Sequence, residues 1–345
     1  MKRVPICRAS VTAAFLALLP ALSWAGETSE EESRIRVERT NVGYAPFDSV
    51  SFSPFSSLRP GFLPAMASTL GSGCFEARLS QSWAKVISNT ADWMIDYEVL
   101  RTSAKIDYGI SDFLSIELEV DASERVPGGA LQRFILGFHR AFGIKSSYIT
   151  PYPADYYRFE VTPPGGGARV DLRDQDCQPF VASGLLSLRQ TLTWGDDWIP
   201  ATAAALSLRT DLVQQNLRGG SPVDVAASVS CSKGAGPLVF YLGVDVEWYG
   251  RESLPGIPLR PIQWTVLGAI EWRCLPRFSI VAQYLLKRGA VDQLQDFSVP
   301  SNEITAGFKW EIGAGILIGI AILENVVDSY NTPDFGVHVE LSLRW

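Results

Sequence analysis

From residue 75 to the C-terminus, apolar and polar side chains alternate in segment after segment. A period of two places successive side chains on opposite faces of a strand. The final segment is the clearest. Phe335, Val337, Val339, Leu341, Leu343 and Trp345 share one face, and His338, Glu340, Ser342 and Arg344 share the other. In a soluble sandwich the apolar face would meet a core, whereas in an outer-membrane barrel it meets lipid and the polar face lines the lumen. One strand does not separate these cases.

Twelve strands are predicted along the chain. The first spans 75–87, with Gln81 and Lys85 breaking its apolar parity, and the second spans 91–108, with Ile95, Tyr97 and Val99 opposite Asp96 and Glu98. The third sets Leu114, Ile116, Leu118 and Val120 against Ser115, Glu117, Glu119 and Asp121. Further strands are read at 184–194, 201–212, 222–232 and 238–248. The last five centre on Ile270, Ala282 and Phe308, then cover 316–324 and 335–345.

The connections decide the architecture. Short turns near Ser111, Asp197, Gly234, Pro276 and Ala314 alternate with longer loops at 123–183, 213–221, 249–262, 288–302 and 325–334. Only the first outer connection, near Asn89, is short; an even strand number with short turns at one end and otherwise longer loops at the other describes an all-β fold, a transmembrane antiparallel β-barrel of about 12 strands. Trp194, Trp248, Trp264, Trp272, Trp310 and Trp345 fall near strand ends on the apolar parity, where interfacial girdles sit. Closure also leaves no backbone edge unpaired in hydrocarbon.

Two regions break the strand rhythm. Residues 26–73 are acidic at first and then rich in Pro, Ser and Phe, and two placements are open: a periplasmic lead-in or a plug inside the barrel. In the longest outer loop, residues 129–143 form a predicted amphipathic helix with Leu131, Phe134, Ile135, Phe138 and Phe142 on one face. That helix reads as a gate at the barrel mouth or a membrane-surface helix, or else as a cap packed on the rim.

The N-terminus refines the compartment. Lys2, Arg3 and Arg8 precede an apolar stretch, and Ser23 and Ala25 stand where a secretory signal is cut, so residues 1–25 are read as a signal peptide. No later run of about 18 apolar residues could span a bilayer as a helix. The chain carries 30 basic and 37 acidic residues without a basic block, which argues against nucleic acid. The expected partners are outer-membrane lipid and, through the C-terminal strand ending on Trp345, the barrel-assembly machinery. Cys74, Cys177, Cys231 and Cys274 are scattered without metal spacing and permit three pairings that the sequence does not rank.

Candidate chemistry is sparse. Among titratable positions predicted to face the lumen, Glu117, Glu119, Glu247, Glu271, Glu311 and Glu340 oppose Arg189, Arg209, Arg273, Lys309 and Arg344, with His338 beside Glu340. In a pore such charges set selectivity; in a closed barrel they cross-link the interior. His139 and His338 are the two histidines. The outer-membrane phospholipase is also a twelve-stranded barrel, but its chemistry needs a serine and histidine on the lipid side, and His338 faces the lumen. No catalytic group, metal or cofactor is therefore expected. Passage of small solutes across the outer membrane is the leading expectation, with the loop helix as gate. A lipid-acting barrel enzyme and a structural or adhesive barrel are the alternatives.

Two stretches, RPGFLPAMASTL at 59–70 and FILGFHRAFG at 134–143, together with DYGISDFLSIELEV, resemble the domain-of-unknown-function 3187 family of Gram-negative envelope proteins. The resemblance runs from about residue 40 to the end and implies an outer-membrane barrel without an established activity. Members commonly carry acidic residues in the helix where this chain has Leu136 and Arg140, which argues against a cation site there.

Overall fold

The computed structural model describes residues 43–345 except 65, 91, 127–128, 144–157, 164–169, 173–178, 314 and 326–330. The signal peptide, Cys177 and the first part of the N-terminal segment lie outside the described residues.

The strands run in chain order as β1 (Phe75–Asn89), β2 (Trp93–Ser111), β3 (Leu114–Arg125), β4 (Arg158–Val161), β5 (Val170–Asp171) and β6 (Pro179–Thr193). They continue as β7 (Ala201–Gln214), β8 (Val223–Ala235), β9 (Leu238–Trp248), β10 (Ser253–Leu254), β11 (Ile257–Pro258) and β12 (Ile262–Leu275). The last are β13 (Phe278–Lys287), β14 (Ser301–Gly313), β15 (Ile316–Glu324) and β16 (Phe335–Arg344). Among the described residues, two helices sit in outer loops, α1 (Ala130–Phe142) and the short α2 (Gln295–Ser298). Twelve long strands pair antiparallel with their neighbours, and β1 pairs with both β2 and β16, so the sheet closes. At the seam the Phe75 N–H donates to the Trp345 carbonyl at 2.9 Å, and the Trp345 N–H returns the bond at 3.0 Å.

Burial is inverted relative to a soluble protein. Along β9, Phe240, Leu242, Val244, Val246 and Trp248 are exposed while Asp245 and Glu247 are buried. Lipid is the solvent that makes this arrangement favourable, because apolar side chains need no covering there and charges do. At the periplasmic end the chain turns tightly. Between β6 and β7 the N–H groups of Ile199 and Trp198 donate to Asp196 Oδ1 at 2.7 and 2.6 Å, which holds that carboxyl below its usual range.

The described part of the N-terminal segment, from residue 43, lies inside the barrel. Gly43 and Tyr44 start beside Glu271 and Glu311 near the periplasmic turns; Phe52, Phe55 and Leu58 reach the outer mouth, where Ser56–Leu58 make a 3-10 turn. The chain then descends through Pro60 to Thr69, whose hydroxyl donates to the Asp112 carbonyl in a periplasmic turn at 2.7 Å. The segment is a hairpin with its tip outward and both ends periplasmic. Of the two placements open from the sequence, its described part from residue 43 to 73 occupies the lumen.

One orientation left open by the sequence is fixed, and one expectation changes. In the outer third of β2, Ile95, Tyr97 and Val99 share the parity of Arg101 and Ser103 and point into the barrel, against Phe55 and Phe159. Asp96 and Glu98 therefore point out of it. The apolar face switches sides because the lumen here holds aromatic plug residues rather than charge. The helix α1 does not enter the lumen. Leu131 and Ile135 pack on Ile87 and Phe335, with Trp83 and Val337 alongside, all on the outward parity of β1 and β16. The outer wall offers an apolar strip matching the helix face, whereas the mouth is already filled by Phe52, Phe55 and Leu58. Phe134 is 55% exposed beside Phe335, and the side chains of Phe138, His139 and Phe142 lie outside the described residues.

Candidate functional site

The lumen is where the polar residues of this chain converge, because period-two strands send every second side chain inward. On the β2–β3–β6 wall, Arg101 donates to Glu119 at 2.8 Å and to Asp121 at 3.1 Å, and Ser183 also bonds to Asp121. Arg189 bridges Asp107 and Glu117, both at 3.0 Å. Lys105 projects between these groups, 3.4 Å from Glu119, 3.6 Å from Glu117 and 3.4 Å from Asp48 of the hairpin.

The opposite wall is built on other pairs. Lys287 lies 2.5 Å from Glu247, which also accepts from Thr265 at 2.7 Å and from Tyr249. Glu271 accepts from Tyr241 at 2.6 Å and Ser279 at 2.7 Å, with Arg273 3.7 Å away. Glu76 joins Arg78 and Arg344, both at 2.7 Å. Lys309 meets Glu340 at 2.5 Å, and His338 stands between Glu340 at 3.3 Å and Ser82 at 2.8 Å.

The hairpin is wired into these groups. Its backbone N–H groups donate to wall carboxylates: Tyr44 to Glu271 at 2.8 Å, Asp48 to Glu340 at 3.2 Å and Phe52 to Glu303 at 3.1 Å. Its carbonyls accept from wall cations, Pro46 from Lys309 at 2.9 Å and Pro60 from Arg209 at 2.6 Å. Such charge-assisted bonds satisfy a strandless backbone in a place that water would otherwise have to fill. Rings lie over cations as well, Phe47 under Lys309 and Phe62 under Arg209. Glycine permits the close approach. A Cβ on Gly243 of the wall would lie 2.3 Å from Pro64, and one on Gly43 would fall within the Glu271 carboxylate.

Among the described residues, spaces remain between hairpin and wall. One of about 90 Å³ is lined by Asp48, Leu63, Lys105, Glu117, Arg189 and Ser207 among others; a second of about 30 Å³ adjoins Arg101, Glu119 and Arg209. Both are large enough for ordered water. Above them Phe52, Phe55 and Leu58 form one cluster with Phe159, Phe180, Leu254, Ile257 and Phe297 from the outer loops.

The structure brings the sequence-predicted lumen residues into this interior. Glu117, Glu119, Arg189, Arg209, Glu247, Glu271, Lys309, His338 and Glu340 are buried, while Arg273, Glu311 and Arg344 are part-exposed toward the periplasmic end. Sequence reasoning missed the hairpin's share, Asp48, Tyr44 and Ser51, and the wall tyrosines Tyr241 and Tyr249. Ser82 was also missed as a neighbour of His338. The Ser82–His338–Glu340 line has the composition of a hydrolytic triad, but it is buried in the lumen with Phe47 against the imidazole and Lys309 on Glu340.

The protein family described as "protein of unknown function (DUF3187)" matches residues 36–345, and the chain belongs to that family. No protein of curated function matches it. Among solved structures it is similar to the COG4313 outer membrane channel from Pseudomonas putida F1, with 10% identity, a TM-score of 0.48, and coverage of 83% of this chain and 100% of that one. It is also similar to the NanC porin, with 8% identity, a TM-score of 0.44, and coverage of 77% and 97% respectively. The KdgM porin gives 6% identity, a TM-score of 0.42, and coverage of 77% and 98%.

Proposed function

We propose that this DUF3187 barrel passes small polar solutes across the outer membrane and that the lumenal hairpin of residues 43–73 is its gate. The observation that supports the reading is the hairpin's topology. Both of its ends are periplasmic, so it can leave the lumen without threading, and its wall contacts among the described residues are hydrogen bonds, ion pairs and side-chain packing. A twelve-stranded barrel falls between eight-stranded barrels filled by side chains and the sixteen-stranded porins that carry an aqueous channel. With the hairpin in place the remaining spaces admit water; with it withdrawn, the wall of paired charges and serines suits a small solute bearing both polar and charged groups.

The test is single-channel conductance in a planar bilayer. The mature protein, a variant lacking residues 43–70 and a variant lacking residues 129–143 are each refolded and compared. Discrete steps are expected after removal of the hairpin, with the helix deletion behaving as the intact protein does. A folded, hairpin-free barrel that stays silent would end the channel reading and leave a structural barrel. The Ser82–His338–Glu340 line keeps an enzymatic second reading open. It predicts ester hydrolysis by the hairpin-free barrel that disappears in Ser82→Ala, and an inactive hairpin-free barrel removes it.

A further inference from the structure

On the outer wall, Lys85, Asp96 and Glu98 lie on the lipid-facing parity of β1 and β2, yet all three are buried. Lys85 pairs with Asp96, and the Glu98 carboxylate accepts the N–H groups of Gln132 at 2.9 Å and Leu131 at 3.3 Å. The first turn of α1 is thus capped by the barrel wall itself. Together with the packing of Leu131 and Ile135 on Ile87 and Phe335, this fixes the helix both along its axis and about it.

The face turned away from the wall follows. Arg133, Gly137 and Arg140 are exposed there, at spacings of four and three residues that stack them on one side. The helix contains no acidic residue, and neither arginine has an ion-pair partner among the described residues. The two guanidinium stems leave the axis roughly 10 Å apart, two turns. Gly137 between them leaves the backbone open, with nothing within 4 Å of where a Cβ would stand.

Unpaired arginines on the lipid side of a barrel cost about 2–4 kcal/mol at the bilayer midplane and close to nothing at the interface. The helix therefore belongs at headgroup level, consistent with Trp83 beneath it and with the outer end of β1 where it docks. Phe134, exposed on the flank beside Phe335, then reaches the acyl boundary. In the outer leaflet of a Gram-negative outer membrane, the anionic group at that level is the phosphate of lipid A. Guanidinium matches phosphate bidentately.

We infer that the outward face of α1, through Arg133 and Arg140 on either side of Gly137, is a binding site for lipid A phosphates. The site is independent of what the lumen does. It is tested on the refolded mature protein in detergent by native mass spectrometry, with diphosphoryl lipid A, dephosphorylated lipid A and phosphatidylglycerol as probes. Three proteins are compared: the natural sequence, R133Q/R140Q and R133K/R140K.

Diphosphoryl lipid A is expected to bind R133Q/R140Q at least about tenfold more weakly than the natural sequence, equivalent to one charge-assisted contact. Partial retention is expected in R133K/R140K. Dephosphorylated lipid A should not distinguish the three proteins, and phosphatidylglycerol should bind no better than it does. Equal binding of diphosphoryl lipid A by the natural protein and R133Q/R140Q overturns the site. Equal competition by phosphatidylglycerol overturns the assignment to lipid A.

Discussion

Lys287 and Glu247 are both buried, and each is the other's charge partner at 2.5 Å. Removing one partner of such a pair leaves an uncompensated charge and costs about 3–5 kcal/mol, whereas replacing both by apolar groups is often neutral. Glu247→Gln should therefore lower the urea midpoint of the barrel clearly, and Glu247→Leu with Lys287→Met should restore most of it. Gly243 invites the opposite experiment. Its missing Cβ is what Pro64 occupies, so Gly243→Val crowds the hairpin from the wall side without altering the hairpin. The expected result is a folded barrel whose hairpin is cut by added protease and whose conductance rises toward that of the deletion variant. Which charges face inward was readable from the sequence, since strand parity and the cost of charge in lipid allow Glu247, Glu271 and Glu340 one side only. Their partners were not. Tyr241 and Tyr249 count as apolar in any alternation pattern, and Ser82 meets His338 only through the pairing of the first strand with the last.

Among the strands, β9 and β16 were read almost to the residue, because their outward faces stay apolar from end to end. The outer third of β2 was not. Its alternation is perfect but carries no sign, and the sign reverses where the surroundings change from lipid outside and charge inside to a helix outside and aromatic rings inside. A hint was present in β1, where Lys85 sits on the apolar parity. A charge in that position requires a cover, and α1 is that cover. Ile135, fully buried at the contact, should be the anchor. Ile135→Ala is expected to cost about 2–5 kcal/mol of local stability, seen as protease cleavage within 130–142 while the barrel itself keeps its heat-resistant gel mobility. Unchanged resistance of the helix would mean that Glu98 capping suffices to hold it.

The barrel as an architecture could be read from strand number and loop alternation, both local properties. The content of the barrel could not. Residues 43–73 have no period, since their conformation answers to a wall contributed by strands hundreds of positions away. Tyr44 reaches Glu311 across 267 residues and Asp48 reaches Glu340 across 292. That separation has a kinetic side. Closing so long a stretch of chain is entropically the slowest kind of contact to establish, and Glu340 takes its place in the wall only when β16 zips onto β1. The hairpin thus cannot complete its lumenal bonds before the last strand arrives, so a barrel that closes ahead of its hairpin passes through an unplugged stage. Refolded samples followed from the first moments should leak ions briefly and then fall quiet, and the lifetime of that leak is the time the chain takes to swallow its own beginning.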